Sequence, residues 1–181
     1  MKKSLAAAFA VTVIASAANA DLVAYWNNNS NALPVSGFGY TSTAFPQAAD
    51  AGSGFMSIGG GIMSETVVNA NGTEVYTWAQ SFAGSDLNAL NGDAAGGSFS
   101  IQGGTANGNN GAYLQFQLDM SGFTGLDISY ATRGTSTGFS SQTWSWSTDG
   151  VNFTTFETFT GTNVTSYSVK TLATLSALDG A

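Results

Sequence analysis

The strongest alternation of apolar and polar residues lies in the segment AYLQFQLDMSGF, residues 112–123. Apolar side chains occupy every second position, at Leu114, Phe116, Leu118 and Met120, and the intervening side chains are Gln115, Gln117 and Asp119. Successive side chains of a β-strand point to opposite faces of the sheet. This period of two therefore predicts a strand with one face in a core and the other in water.

Shorter segments of the same character follow one another along the chain, separated by glycine, asparagine and Asp-Gly turn signals. They are residues 22–26, SGFMSIGGG, TEVYTWAQSF, GGSFSIQGG, TGLDISYATRG, the two halves of TWSWSTDGVNFTTF, and residues 166–172. A sustained helical period is absent, and only SDLNALNG predicts a single helical turn. The pattern predicts an all-β protein, a jelly-roll-like antiparallel β-sandwich of about eight or nine strands.

The segment TWSWSTDGVNFTTF, residues 143–156, predicts two strands joined at Asp149 and Gly150. An Asp-Gly pair tolerates the positive φ that tight hairpin turns require. Trp144 and Trp146 share one face of the first strand, and the opposite face carries only Thr and Ser. This arrangement favours a core position for both indoles, and the alternative is an exposed platform on which sugar rings stack.

The strand TEVYTWAQSF presents the same two alternatives for Tyr76 and Trp78, whereas Trp26 is predicted to be a core residue. The candidate carbohydrate-binding residues are therefore Tyr76, Trp78, Trp144 and Trp146. Sugar stacking requires that their rings lie on an exposed sheet face. A core role requires that they are covered.

The N-terminal segment MKKSLAAAFAVTVIASAANA has the three parts of a secretory signal peptide. It begins with Lys2 and Lys3, continues with an apolar stretch, and ends with Ala-Asn-Ala before Asp21. The apolar stretch is roughly a dozen residues, against the about 20 that a membrane-spanning helix needs. We therefore predict an exported protein with a signal peptide at residues 1–20 and one β-sandwich domain at residues 21–181.

Composition excludes several classes of function. After signal removal, two basic residues, Arg133 and Lys170, stand against 11 acidic ones, which leaves a net charge of −9 and argues against a nucleic-acid partner. The chain has no cysteine and no histidine, so it has no disulfide, no His-dependent nucleophile and no His ligand for zinc. No enzyme activity is expected.

Glycoside hydrolysis is the one catalytic class that this composition would still allow, because it needs only two facing carboxyl groups. The glutamates available are Glu65, Glu74 and Glu157, and they lie in three separate segments. A hydrolase is therefore kept as the second alternative, behind binding.

A calcium site is a further alternative, since calcium takes carboxylate, amide and carbonyl oxygen ligands. The segment DLNALNGDAAGG places four such side chains close together, at Asp86, Asn88, Asn91 and Asp93. Asp, Asn and Gly are also common turn formers, and a hydrated loop is the favoured interpretation. No cofactor is expected, and structural calcium is kept only as the alternative.

The signal peptide, the mature start LVAYWNNNS and the segment YLQFQLDMSGFTGLDISYATRGTSTGFSSQTWSWSTDGVNFTTFETF together resemble the secreted β-sandwich domains of bacterial PEP-CTERM proteins. The resemblance covers most of the mature chain and is densest at residues 113–159. It implies an envelope protein sorted by exosortase-type machinery, without an assigned activity.

The chain departs from that family at its end, LATLSALDGA, which contains no Pro-Glu-Pro tripeptide, no following apolar helix and no basic tail. In similar proteins a segment such as residues 175–181 leads into another core strand. We therefore expect a C-terminally truncated domain that lacks its last strands. Sorting machinery is an expected partner only if the chain continues beyond Ala181.

These observations predict a non-enzymatic, exported β-sandwich protein of the cell envelope or extracellular matrix that acts by surface contact. The expected partners are envelope components or extracellular polysaccharide. The first alternative is a carbohydrate-binding module that uses exposed aromatic residues.

Overall fold

The computed structural model describes residues 21–29, 39–90 and 92–181. Within these ranges regular structure consists of thirteen β-strands and three short 3-10 helices, without an α-helix. The strands are β1 (Ala24–Tyr25), β2 (Gly39–Thr41), β3 (Gln47–Ala48), β4 (Ala51–Gly52), β5 (Phe55–Gly59), β6 (Thr66–Val68), β7 (Glu74–Ala83), β8 (Gly97–Ile101), β9 (Tyr113–Gln117), β10 (Ser129–Thr132), β11 (Ser141–Trp146), β12 (Thr154–Thr160) and β13 (Ser168–Thr171). The predicted signal peptide lies outside the described residues.

Every strand pair is antiparallel. The long strand β7 pairs with β2, β6 and β8, and β5 lies between β3 and β9. The remaining strands form three pairs, β1 with β4, β10 with β13, and β11 with β12. The predicted class, an all-β antiparallel and sandwich-like fold, is confirmed.

Two details differ from the sequence prediction. The described chain has thirteen strands rather than about eight or nine, because four further strands, β2, β3, β4 and β6, have only two or three residues each and are too short for a periodic pattern. The predicted helical turn in SDLNALNG is also wrong. Asn88 has a φ of 65°, and the segment forms a turn in which Ala89 N–H donates to the carbonyl of Asp86 at 3.0 Å.

A first core forms around β7, with Tyr40, Met63 and Ala79 fully buried. We call it the β7 core. A second core, the C-terminal core, contains Met120, Leu126 and Leu175. Leu126 and Leu175 exchange backbone hydrogen bonds of 3.3 and 2.9 Å, so the last described residues form part of this core.

A chain of neighbouring aromatic rings, the aromatic row, connects β9 with the strands that follow it. Its members are Trp26, Phe116, Trp144, Tyr130 and Phe159. Phe116 on β9 stacks on Trp144 of β11 with ring centroids 6.0 Å apart and an interplanar angle of 13°. The apolar face predicted for β9 therefore packs inward, as its alternation requires.

Hydrogen bonds run alongside the aromatic row. The indole N–H of Trp144 donates to Tyr130 Oη at 3.1 Å, and that hydroxyl donates to Gln142 Oε1 at 2.8 Å. The amide of Gln142 then donates to Thr132 Oγ1 at 3.2 Å. Each of these polar groups thus has a hydrogen-bond partner inside the protein. Burial of the Tyr130 hydroxyl raises its pKa above the usual value for tyrosine.

Both basic residues of the described chain lie over aromatic rings. The guanidinium carbon of Arg133 is 5.0 Å from the centroid of Tyr167, and Lys170 Nζ is 5.6 Å from the centroid of Phe159. The Tyr167 hydroxyl in turn donates to the carbonyl of Ala83 on β7, at 2.8 Å. These cations therefore stabilise the contact between strands through cation–π interactions.

The hairpin of β11 and β12 turns at the predicted Asp149 and Gly150, but its connection is longer than a two-residue turn. Asp149 Oδ1 accepts hydrogen bonds from the backbone N–H groups of Val151 and Asn152, at 2.8 and 2.7 Å, and from Ser147 Oγ at 2.8 Å. Gly150 has a φ of 71°. The bonds from Asn152, then those from Val151 and Ser147, lower the pKa of Asp149.

The substitution Trp144→Ala is expected to lower the free energy of unfolding by about 3 kcal/mol, because it removes a large half-buried ring. Trp144→Phe is expected to cost about 1 kcal/mol, since it keeps a ring against Phe116 but removes the hydrogen bond to Tyr130. Thr143→Ala, on the exposed face of the same strand, is the control and should stay within about 0.5 kcal/mol. Urea unfolding measures all three, and equal stability of the two alanine variants would contradict a structural role for the row.

Stability should also depend on the ionisation of Asp149. Because folding lowers its pKa, the carboxylate stabilises the folded state above about pH 4, and this contribution is lost as the pH falls through the folded-state pKa. Asp149→Asn should therefore lose less stability between pH 6 and pH 2 than the wild type. Urea midpoints across this range measure the effect, with Asp86→Asn as the control, and parallel curves for wild type and Asp149→Asn would show the idea to be wrong.

Candidate functional site

Trp144 and Trp146, two of the predicted carbohydrate-binding residues, are half-buried on the inner face of β11. Trp144 contacts Phe116 and Tyr130, and Trp146 packs against the C-terminal core. A bulge after Trp144 leaves Phe156 of β12 without a cross-strand partner, and Phe156 packs against the same core. The core position favoured by the sequence pattern agrees with this packing.

Tyr76 and Trp78, the other two predicted carbohydrate-binding residues, are half-buried on β7 and pack against the β7 core. The Tyr76 ring lies 6.2 Å from that of Phe45. The indole N–H of Trp78 donates to Glu65 Oε2 at 3.1 Å. The structure therefore places these two pairs in different parts of the molecule and does not bring all four rings to one surface.

The three glutamates occupy two regions. Glu65 and Glu74 lie at the β6–β7 hairpin, where Glu65 binds the Trp78 indole and Glu74 Oε1 accepts a hydrogen bond from Thr66 Oγ1 at 2.6 Å. Glu157 lies on β12, and its Oε2 accepts a hydrogen bond from the backbone N–H of Ala173 at 3.3 Å. All three carboxylates thus contribute hydrogen bonds that hold strands or their flanking loops.

The predicted calcium ligands are only partly described, since Asn91 lies outside the described residues. Asn88 Oδ1 accepts a hydrogen bond from Ser129 Oγ at 2.9 Å, and Asp93 Oδ2 accepts one from the Asn27 amide at 3.1 Å. Within residues 21–29, 39–90 and 92–181, no three His, Cys, Asp or Glu side chains form a metal-binding group. The oxygen atoms of Asn88 and Asp93 serve here to connect the loop to other segments.

The most distinctive exposed surface is the outward face of β3, β5 and β9, which we call the β5–β9 face. It is formed by Ala48, Phe55, Ser57, Gly59, Tyr113, Gln115 and Gln117. In register, Phe55 pairs with Gln117, and Gly59 pairs with Tyr113. The opposite face of the same strands carries the buried side chains of Gln47 and Met56, so the β5–β9 face is the outer one.

Two aromatic rings stand at opposite ends of the β5–β9 face. Phe55 is 48% exposed and Tyr113 is 51% exposed. Both fall on the polar phase of their strands: Phe55 precedes the inward Met56, and Tyr113 precedes the inward Leu114. Neither ring is among the binding residues predicted from the sequence, which lie on the tryptophan-bearing strands, although an aromatic residue on the polar phase of an amphipathic strand is the signal that identifies both.

Comparison of the chain with family models, curated protein sequences and solved structures finds no match. No helix in the described part of the chain is long and apolar enough to span a membrane. The candidate site therefore depends on the geometry of the β5–β9 face alone.

Calcium is expected to have little effect on stability, because Asn88 and Asp93 already bind Ser129 and Asn27 through their oxygens. The melting temperature in 5 mM CaCl2 should lie within about 1 °C of that in EDTA, a difference well under 1 kcal/mol for a domain of this size. Differential scanning calorimetry measures it. A rise of several degrees that Asp93→Asn abolishes would instead establish the calcium site.

Proposed function

We propose that this chain is a non-enzymatic, exported protein of the cell envelope or extracellular matrix that acts by surface contact. The observation that supports it most directly is the β5–β9 face. This surface presents two half-exposed rings and several amide and hydroxyl groups, and it carries no Asp, Glu, Lys or Arg side chain. Such a mixture of aromatic and neutral polar groups is typical of surfaces that bind rather than catalyse.

The position of the carboxylates also favours contact over catalysis. Glycoside hydrolysis requires two carboxyl groups facing each other across the scissile bond. Glu157 lies on β12, whereas Glu65 and Glu74 lie at the β6–β7 hairpin, and each of the three accepts a hydrogen bond from the protein itself. The proposal of export comes from the signal-peptide pattern and from the resemblance to PEP-CTERM proteins.

The experiment that tests the proposal combines binding with turnover. Purified protein is incubated with the insoluble envelope and matrix fraction of the producing cells, and cosedimentation and release of reducing sugar are measured together. We expect cosedimentation without sugar release, and N-terminal sequencing of the exported protein should begin at Asp21.

Glu65→Gln, Glu74→Gln and Glu157→Gln are the matched variants for this assay. If the protein only makes contact, all three should cosediment as the wild type does. Sugar release that one of these substitutions abolishes would identify a hydrolase. Failure of the wild-type protein to cosediment would contradict the proposed contact function.

A further inference from the structure

We propose that the β5–β9 face binds an uncharged β-1,4-linked polysaccharide, with one sugar ring stacked on Tyr113 and another on Phe55. This inference rests on the proposed contact function and assigns it a ligand class and a site. It differs from the sequence prediction, which considered Tyr76, Trp78, Trp144 and Trp146.

The first step is the orientation of Tyr113. Its ring packs against Gly59 of β5 and the following Gly60: a Cβ atom added to Gly59 would be 2.7 Å from Tyr113 Cζ and Oη, and one added to Gly60 would be 3.1 Å from Cδ1. Only glycine permits this close approach. One side of the ring is covered by the glycines, and its 51% exposure leaves the other side open to a ligand.

The second step is the position of Phe55. It lies opposite Gln117 in the register, four residues along β9 from Tyr113, which corresponds to roughly 13 Å along the strand. Its ring is 48% exposed. Two open rings spaced along one face of the same sheet fit a ligand that stays extended over several sugar units. A β-1,4-linked pyranose chain is such a ribbon, with apolar C–H faces that lose water on stacking.

The third step is the polar surface between the rings. Ser57 and Gln115 form a pair at the centre of the face, and Gln117 lies beside Phe55. None of these three side chains makes a hydrogen bond with any residue that the structure describes. Their amide and hydroxyl groups both donate and accept, as the equatorial hydroxyls of a neutral sugar require.

Charge and area decide between possible occupants. The face has no charged residue, and the chain carries a net charge of −7, so an anionic polymer would be repelled and a neutral one would not. Three strands of at most five residues present about 14 by 17 Å, roughly 240 Å². A stable dimer buries about 800 Å² per partner, so a second copy of this chain is a poor fit.

Affinity electrophoresis in native gels tests the proposal with the full exported chain. The gels contain hydroxyethylcellulose or galactomannan, both uncharged with β-1,4 backbones, or alternatively soluble starch or sodium alginate. We expect retardation in the first two polymers only. Tyr113→Ala and Phe55→Ala should each weaken the apparent affinity at least tenfold.

Two further variants separate the stacking geometry from general apolar exposure. Gly59→Ala keeps the tyrosine but places a methyl group against the end of its ring, which tilts the ring and should weaken binding as well. Phe153→Ala removes a ring that is 52% exposed outside the face and should bind as the wild type does. Urea midpoints confirm that each variant is folded. Gln117→Ala removes a polar group of the face, should also weaken binding, and replaces any variant of the face that does not fold.

Several results would overturn the proposal: no retardation in either of the uncharged β-1,4-linked polymers, retardation confined to starch or alginate, or unchanged affinity in both Tyr113→Ala and Phe55→Ala. A fall in the sedimentation coefficient of Tyr113→Ala would instead assign the face to a second copy of the chain. If envelope cosedimentation persists while these gels show nothing, the contact function stands and this ligand assignment fails. Release of reducing sugar would contradict both the non-enzymatic contact function and this ligand assignment.

Discussion

The stacked contact between Phe116 and Trp144 is the interaction on which the arrangement of the strands depends. Phe116 belongs to the sheet of β3, β5 and β9, Trp144 to the β11–β12 hairpin, and Tyr130, the next ring, to the β10–β13 pair. Three small sheets that share no strand pairing thus meet at these rings. Aromatic pairs contribute both a large buried area and a preferred geometry, so they define how the sheets pack as well as how strongly. The hydrogen bonds from Trp144 through Tyr130 to Gln142 fix the rotation of each ring.

This packing also explains why the other side of β9 is suited to binding. The inward residue Phe116 holds the strand from behind, and pairing with β5 holds it from the side. A ring on the outer face therefore needs little reorganisation before it meets a ligand, which lowers the entropic cost of binding. Tyr113 gains further order from the glycines beneath it. The core and the proposed surface are in this sense two sides of the same strand.

Local periodicity predicted the class of the fold and the inward residues, because alternation along β9 and β11 reflects only which side of a strand is buried. Apart from the β11–β12 hairpin, it did not predict which strands pair or that Phe116 would contact Trp144, because these contacts join segments that are apart in sequence. Strands of two residues, such as β3, arise from pairing with β5 and leave no pattern of their own. The candidate surface was harder to predict from the sequence than the strand pairing. One side of the Tyr113 ring packs against Gly59 of the neighbouring strand, and the other side stays open. This contact can be recognised in the sequence only when the register of the two strands is known.

The contacts of the two basic residues in the described chain affect how the stability of the fold depends on salt concentration. Arg133 and Lys170 are held over Tyr167 and Phe159, and these contacts retain their apolar part when dissolved ions screen the charges. The same ions weaken the mutual repulsion of the 11 acidic residues. The fold should therefore become no weaker, and somewhat more stable, as ionic strength rises. That behaviour would fit the proposed export, because the cell does not control the salinity of the medium outside it.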